Sequence, residues 1–273
     1  MLAFNAMISM PLSVQSVWAC SILDQLITLT LLLLRRNASK IPFFTTYIVL
    51  NLCQAGFMLV LVLIPTLSPA IFAKLSWCAE GITLLAQAVA TTEILGLTLR
   101  PYPGIWGLAW RALATVSALV VLIVAWLSHA RGIEQLSFQL NRGYRLTFAT
   151  AVIACMALVR YYSIRVPPAF KMILAGFCLN SCVEVLVNTI IQVLLHKGYA
   201  VHQTTWLIVN MLSFVAALNI WIVALWKPFP VDDRQIASPS DSAYRRFSPE
   251  INERLREINE KLLRLWKLEA RPE

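Results

Sequence analysis

Four polar side chains, Asn180, Glu184, Asn188 and Gln192, recur at steps of four, with Ser181 beside the first. Such steps drift by only about 40° each on a helix, so they form one broad polar stripe. An acid inside that stripe can line a hydrated cavity or a substrate path, while amides alone serve equally well as interhelical hydrogen-bonding groups. Comparable groups lie in other apolar stretches: Asp24, Asn51, Gln54, Gln87 and Ser213, the acids Glu80 and Glu93, and the bases Arg111, Arg142 and Arg145.

The stretches that carry them are long and apolar. The chain has 273 residues, 59% hydrophobic and only 14% charged, a balance outside that of ordinary soluble domains. Seven runs, near 14–34, 42–65, 75–99, 104–128, 140–162, 168–195 and 203–226, can each cross a hydrocarbon core as a helix. None alternates with the period of a strand, and only helices or closed barrels satisfy the backbone in lipid, so the expected fold is all-α. The expected organisation is a seven-helix transmembrane domain over 1–230, a flexible linker over 231–247 and an amphipathic cytoplasmic helix over 248–270. The first run follows no secretory leader and is read as retained.

Basic residues of the short loops set the orientation. Arg35, Arg36 and Lys40 fall in the first loop, Arg100 in the third, Arg160, Arg165 and Lys171 around the fifth, and Lys227 opens the tail. The positive-inside rule then puts the N-terminus outside and the C-terminus in the cytoplasm of a multi-pass inner (plasma) membrane protein. On that topology the sequon at Asn37 lies inside. Arg131, Arg142 and Arg145 dissent, and pairing within the bundle explains the last two.

Ionisable groups at membrane depth are expensive and seek partners. By depth, Glu80 can pair with Arg142 or Arg145, and Glu93 with Arg111, as structural ion pairs. Asp24 and Glu184 have no basic partner at their depth. An unpartnered acid in a low dielectric keeps its proton and bonds to amides such as Gln54 or Asn180. The candidate ligand pocket therefore comprises Asp24, Asn51, Gln54, Gln87, Asn180, Glu184, Asn188 and Ser213. No metal or other cofactor is expected: the three histidines lie at helix ends, and the six cysteines, read as small buried residues, lack zinc-ligand spacing. No mid-depth Lys in the last run offers a retinal Schiff base, and no phosphate loop, His-Glu-x-x-His pair or nucleophile elbow occurs, so no catalytic residue is assigned.

The two ends of the domain echo each other. "SKIPFF" (Ser39 to Phe44) and "IRVPPAF" (Ile164 to Phe170) each put a base and Pro before a run; "LRPYPG" (Leu99 to Gly104) and "WKPFPV" (Trp226 to Val231) each end one. At an offset of about 126, Gln54 falls on Asn180, Gln87 on Ser213 and Glu93 on Asn219. A 3+1+3 parallel repeat accounts for this, with ligands held between halves; similar inner-side helix stops account for part of it too.

After the linker, Ser248 and Pro249 open a helix as N-cap and first residue. Ile251, Leu255, Ile258, Leu262 and Leu265 recur at 4-3-4-3 spacing, and Trp266 widens the face. Six bases and six acids from Ser248 onward cancel, so lipid electrostatics do not hold this helix. The formal charge of +9 resides in the preceding residues and reflects loops, not nucleic-acid binding. Docking on the domain itself or on a cytoplasmic or membrane protein partner, homo-oligomerisation through a coiled coil, and an interfacial position are the alternatives for the apolar face.

"WCAEGITLLAQAVATTEILGLTLRPYPG" in the third run, Val183–Glu184 and "LNIWIVALWKPFP" resemble an acidobacterial-type group of bacterial seven-helix membrane proteins of uncharacterised activity. The resemblance spans most of 40–230, implies a bacterial inner membrane and transfers no catalytic residue. The 3+1+3 pattern is also similar to PQ-loop sugar transporters, from which this chain departs in lacking the Pro-Gln pair. Three functions stay open: a ligand-binding or sensory module coupled through its tail, an accessory or scaffold subunit of a membrane complex, and an embedded enzyme using Asp24 or Glu184 as an acid on a lipid or isoprenoid.

Overall fold

The computed structural model describes residues 11–63, 68–99, 133–161, 166–196, 203–227 and 229, with scattered positions between 106 and 126 and between 253 and 264. Among them the fold is all-helical. The long elements are α1 (Leu12–Leu34), α2 (Pro42–Leu63), α3 (Pro69–Leu99), α4 (Ile133–Tyr161), α5 (Pro168–His196) and α6 (Gln203–Leu225). The described positions between 106 and 126 are helical as well, and the rest of the expected fourth run lies outside the described residues.

Five segments are long and apolar enough to cross a membrane: Leu12–Leu34, Pro42–Leu61, Lys74–Leu99, Pro168–Ile191 and Thr204–Leu225. In α4 the apolar part is shorter, Gly143–Ala157, because its first turns are polar. The chain is thus a helical membrane protein. α3 and α4 start earlier than hydropathy alone predicts. Ser68 caps the first, its Oγ accepting from Ile71 N at 3.4 Å, and polar residues extend the second beyond its apolar core.

The six helices close a ring in which α1 contacts α2, α2 contacts α3, and so on to α6, which returns to α1; α3 also touches α5. α1 and α6 run parallel, as Asn219 to Asp24 and Phe229 to Asn37 contacts require. Those contacts bring the ends of α1 and α6 and the starts of α2 and α5 to one end of the ring. Lys40 Nζ donates to Phe229 O at 2.7 Å, Phe229 N donates to the buried Asn37 Oδ1 at 3.1 Å, and the Phe229 ring packs edge-on to Phe170. Asn37, the sequon residue, is therefore a structural acceptor within the fold. It draws the chain after α6 back onto the first loop.

Just inside that end lies a dry aromatic layer. Phe44 and Tyr47 of α2, Phe177 of α5 and Trp221 of α6 are buried and packed with ring centroids 4.9–6.4 Å apart, mostly in tilted or edge-on arrangements that suit aromatic quadrupoles. Trp221 Nε1 donates to Ile173 O at 3.0 Å, so its one polar atom is satisfied. Gly176 makes the layer possible: a Cβ there would overlap the Trp221 indole.

Cysteine placement differs from expectation. Cys155 is buried and Cys178 and Cys182 are half-buried, but Cys20, Cys53 and Cys78 are exposed. The outer face of a bundle in lipid is apolar, so a small apolar side chain gains no preference for the inside.

Candidate functional site

Beyond the aromatic layer the same ring is polar. A cavity of about 310 Å3 is lined from every long helix. α1 contributes Trp18, Ser21 and Gln25; α2 contributes Tyr47, Asn51, Gln54, Ala55 and Met58; α3 contributes Glu80, Thr83, Leu84 and Gln87. Across from them stand Arg145 of α4, Asn180 and Glu184 of α5, and Asn210, Met211 and Phe214 of α6. These positions run from 18 to 25 on α1, from 47 to 58 on α2 and from 210 to 214 on α6, consistent with one level of an up-and-down bundle. Tyr47 belongs to both regions, its ring in the aromatic layer and its edge on the cavity.

Arg145 is the electrostatic centre. Its Nε lies 2.8 Å from Glu184 Oε1, and one terminal nitrogen donates to Gln87 Oε1 at 3.1 Å. Gln87 Nε2 donates onward to Ser181 Oγ at 3.2 Å, so α3, α4 and α5 are joined by one polar chain. Both charged side chains are nearly enclosed, at 11% and 16% exposure. In such a place removing either partner leaves a poorly solvated charge. Glu184 is therefore not the unpartnered acid that depth alone implied: Arg145, read as a partner for Glu80, reaches it from the neighbouring helix. Glu80 lines the same cavity.

The expected pocket residues divide. Asn51, Gln54, Gln87, Asn180 and Glu184 line the cavity. Ser213 stands behind it, donating to Asn180 Oδ1 at 3.1 Å and fixing that amide. Asp24 and Asn188 are not on the cavity wall. Asp24 instead accepts from Asn219 Nδ2 at 3.0 Å, along the α1–α6 contact. It follows Ser21 and precedes Gln25, and a step of one residue turns a side chain by about 100°, which carries it off the face that they share. Asn188 is the next step of the α5 stripe after Glu184 and has drifted past the cavity. The Gln192 side chain lies outside the described residues.

Glu93 does something different from ion pairing. Its two carboxylate oxygens accept from Phe43 N at 3.3 Å and Phe44 N at 2.9 Å. A helix N-terminus leaves backbone N–H groups without partners, and α2 starts at Pro42 with no side chain of its own to cap it. A carboxylate from α3 fills that role and suits the positive helix end. Arg111, its expected partner, is exposed, and the Arg142 side chain lies outside the described residues.

Sequence reasoning missed Trp18, Ser21, Gln25, Tyr47, Thr83 and Asn210 as cavity residues. Ser21 and Gln25 share a helix face at i,i+4, and the Gln25 Nε2 donates to Ser21 Oγ at 3.2 Å; that spacing was the available signal. Among the described residues no group of three or more His, Cys, Asp or Glu could hold a metal.

Of the tail face, Ile258 is described and exposed; Ile251, Leu255, Leu262, Leu265 and Trp266 lie outside the described residues, as does the linker. Arg256 pairs with Glu260 at 3.2 Å and Lys261 with Glu257 at 3.0 Å, both i,i+4 on an exposed helix. Compared with models of protein families, with characterised proteins and with solved structures, the chain matches none.

Proposed function

We propose that the protein is a ligand-binding seven-helix membrane module that holds a small polar solute in the cavity around Arg145 and Glu184. One observation carries this reading: a cavity of about 310 Å3 at membrane depth is lined by amides, carboxylates and a guanidinium drawn from six helices. Polar groups in a bundle that served packing alone would bond to one another and close the space. Here they surround it. Small-molecule sites have this form, concave with a few convergent polar groups.

The finer architecture proposed is seven spans, with the helix around 106–126 as connector between α1–α3 and α4–α6 as a 3+1+3 repeat. The matching starts of α2 at Pro42 and α5 at Pro168, and ends of α3 at Leu99 and α6 at Leu225, support it. The end bearing Arg35, Arg36, Lys40, Lys171 and Lys227 is assigned to the cytoplasm by the positive-inside rule. That places the aromatic layer on the cytoplasmic side of the cavity and the tail helix beyond it. The tail would report occupancy to a partner.

The enzyme reading gains less support, because Asp24 is off this cavity and Glu184 is paired with a cation. Native mass spectrometry of gently extracted protein tests the proposal. A small molecule retained by the protein, and lost in Glu184→Gln but kept by a form ending at Pro230, is the expected result. A stoichiometric protein lost on that truncation, with no small molecule, supports a scaffold subunit instead.

A further inference from the structure

The cavity's polar groups are unevenly engaged. Its strongest donor, the Arg145 guanidinium, is already engaged by Glu184 and Gln87, and the Gln87 amide N–H is engaged by Ser181. On α1 and α6 two acceptors lack donors. Gln25 is only 3% exposed, and its Oε1 is buried without a partner, as is Asn210 Oδ1; both residues line the cavity, from α1 and α6. A buried acceptor without a donor is costly to keep. Turning either terminal amide about its last torsion offers that oxygen to the cavity and to an occupant that brings N–H groups.

Two further features select among donor-rich occupants. Trp18, Tyr47 and Phe214 are on the lining, and aromatic faces attract cations. The charged side chains on the lining are two carboxylates, Glu80 and Glu184, and one guanidinium. An anionic occupant would meet a guanidinium already committed to Glu184 and Gln87 and the carboxylates of Glu80 and Glu184. A bare metal ion would leave most of 310 Å3 unfilled and has no cluster of ligands among the described residues.

Resting on the reading of this cavity as a solute site, we infer that its ligand is a small organic ammonium ion, with the ammonium held between Gln25 and Asn210. The organic part lies against the aromatic residues.

Thermal unfolding of the full-length protein in detergent micelles tests this, with ethanolamine and putrescine as cationic probes, ethylene glycol as a neutral donor and propionate as an anion. A saturable rise in Tm of about several degrees is expected with an amine and not with the glycol or propionate. Gln25→Leu removes the rise, and Gln25→Glu, which adds a carboxylate at the same place, lowers the amine concentration needed by roughly tenfold, the effect of a new charge-assisted hydrogen bond. The second variant keeps the test decisive if the first fails to fold. Equal or larger stabilisation by glycol or propionate overturns the inference while leaving the solute site intact. No saturable effect from any probe class overturns both.

Discussion

The two halves of one helix ring differ sharply in how they fill their interior. Toward the end where Phe229 meets Asn37, large aromatic rings pack tightly, with Gly176 admitting the Trp221 indole and Ile173 O satisfying its N–H. Toward the other end the same helices surround a cavity with an ion pair and six amide side chains, two of which have a buried oxygen that lacks a partner. Packing density stabilises the first half; the second gives up part of that stabilisation to keep a concave polar space. Local stability and binding sites commonly divide a structure in this way. Tyr47 is where the two meet.

Trp221→Ala breaks the dry half most severely. It removes the largest fully buried side chain, and a loss of about 3 to 5 kcal/mol is expected for such truncations, read as a fall in Tm in detergent. Amine or other solute binding, measured in the fraction that stays folded, persists but weakens as Tyr47 loses its support.

Arg145→Met strikes the polar half. Glu184 is left enclosed without its cation, and breaking a buried pair costs about 3 to 5 kcal/mol; the adjoining cavity admits some water to the carboxylate, which brings the expected loss to about 2 to 3 kcal/mol on the same scale. Adding Glu184→Gln recovers much of the stability but not the binding, and comparing Tm and retained ligand in the single and double variants separates the two roles.

Asp24→Asn sharpens the boundary of the site. It alters one interhelical hydrogen bond to Asn219, worth about 0.6 to 2 kcal/mol in a membrane bundle, and leaves solute binding unchanged. A clear loss of binding with Tm preserved would return Asp24 to the cavity. Smallest of all is Arg256→Ala in the tail, where the exposed i,i+4 pair with Glu260 contributes about 0.3 to 0.5 kcal/mol; circular dichroism of the tail peptide should show only slightly reduced helicity.

The sequence displays element length and depth better than direction. Bounds such as Pro42, Leu99, Pro168 and Leu225 are legible because hydropathy, Pro at the first turn and basic loops all coincide there. Asn51, Gln54, Gln87, Asn180 and Glu184 are legible as cavity residues because polar groups in a membrane turn inward. The errors have a common physical source. Lipid and protein interior are both apolar, so the apolar pattern runs around the whole helix and does not tell which face is inside. Depth alone puts Asp24 in the pocket though its azimuth differs from that of Gln25, and the exposed Cys20, Cys53 and Cys78 follow from the same blindness. The capping of α2 by Glu93 was hidden for another reason: its acceptors serve backbone N–H groups, which leave no trace in residue types.

We propose that a ligand-holding polar half sits on a packed aromatic half, and thiol accessibility measures that directly. In full-length protein with its six native cysteines replaced, single cysteines are placed at Gln54 in the cavity and at Leu174 in the packed half, and a small water-soluble methanethiosulfonate is applied to membrane vesicles. Modification is expected at Gln54→Cys, slowed by a bound solute, and none at Leu174→Cys. Equal protection at both positions would mean that the polar half is as closed as the aromatic one, and the cavity would then be a packing feature rather than a site.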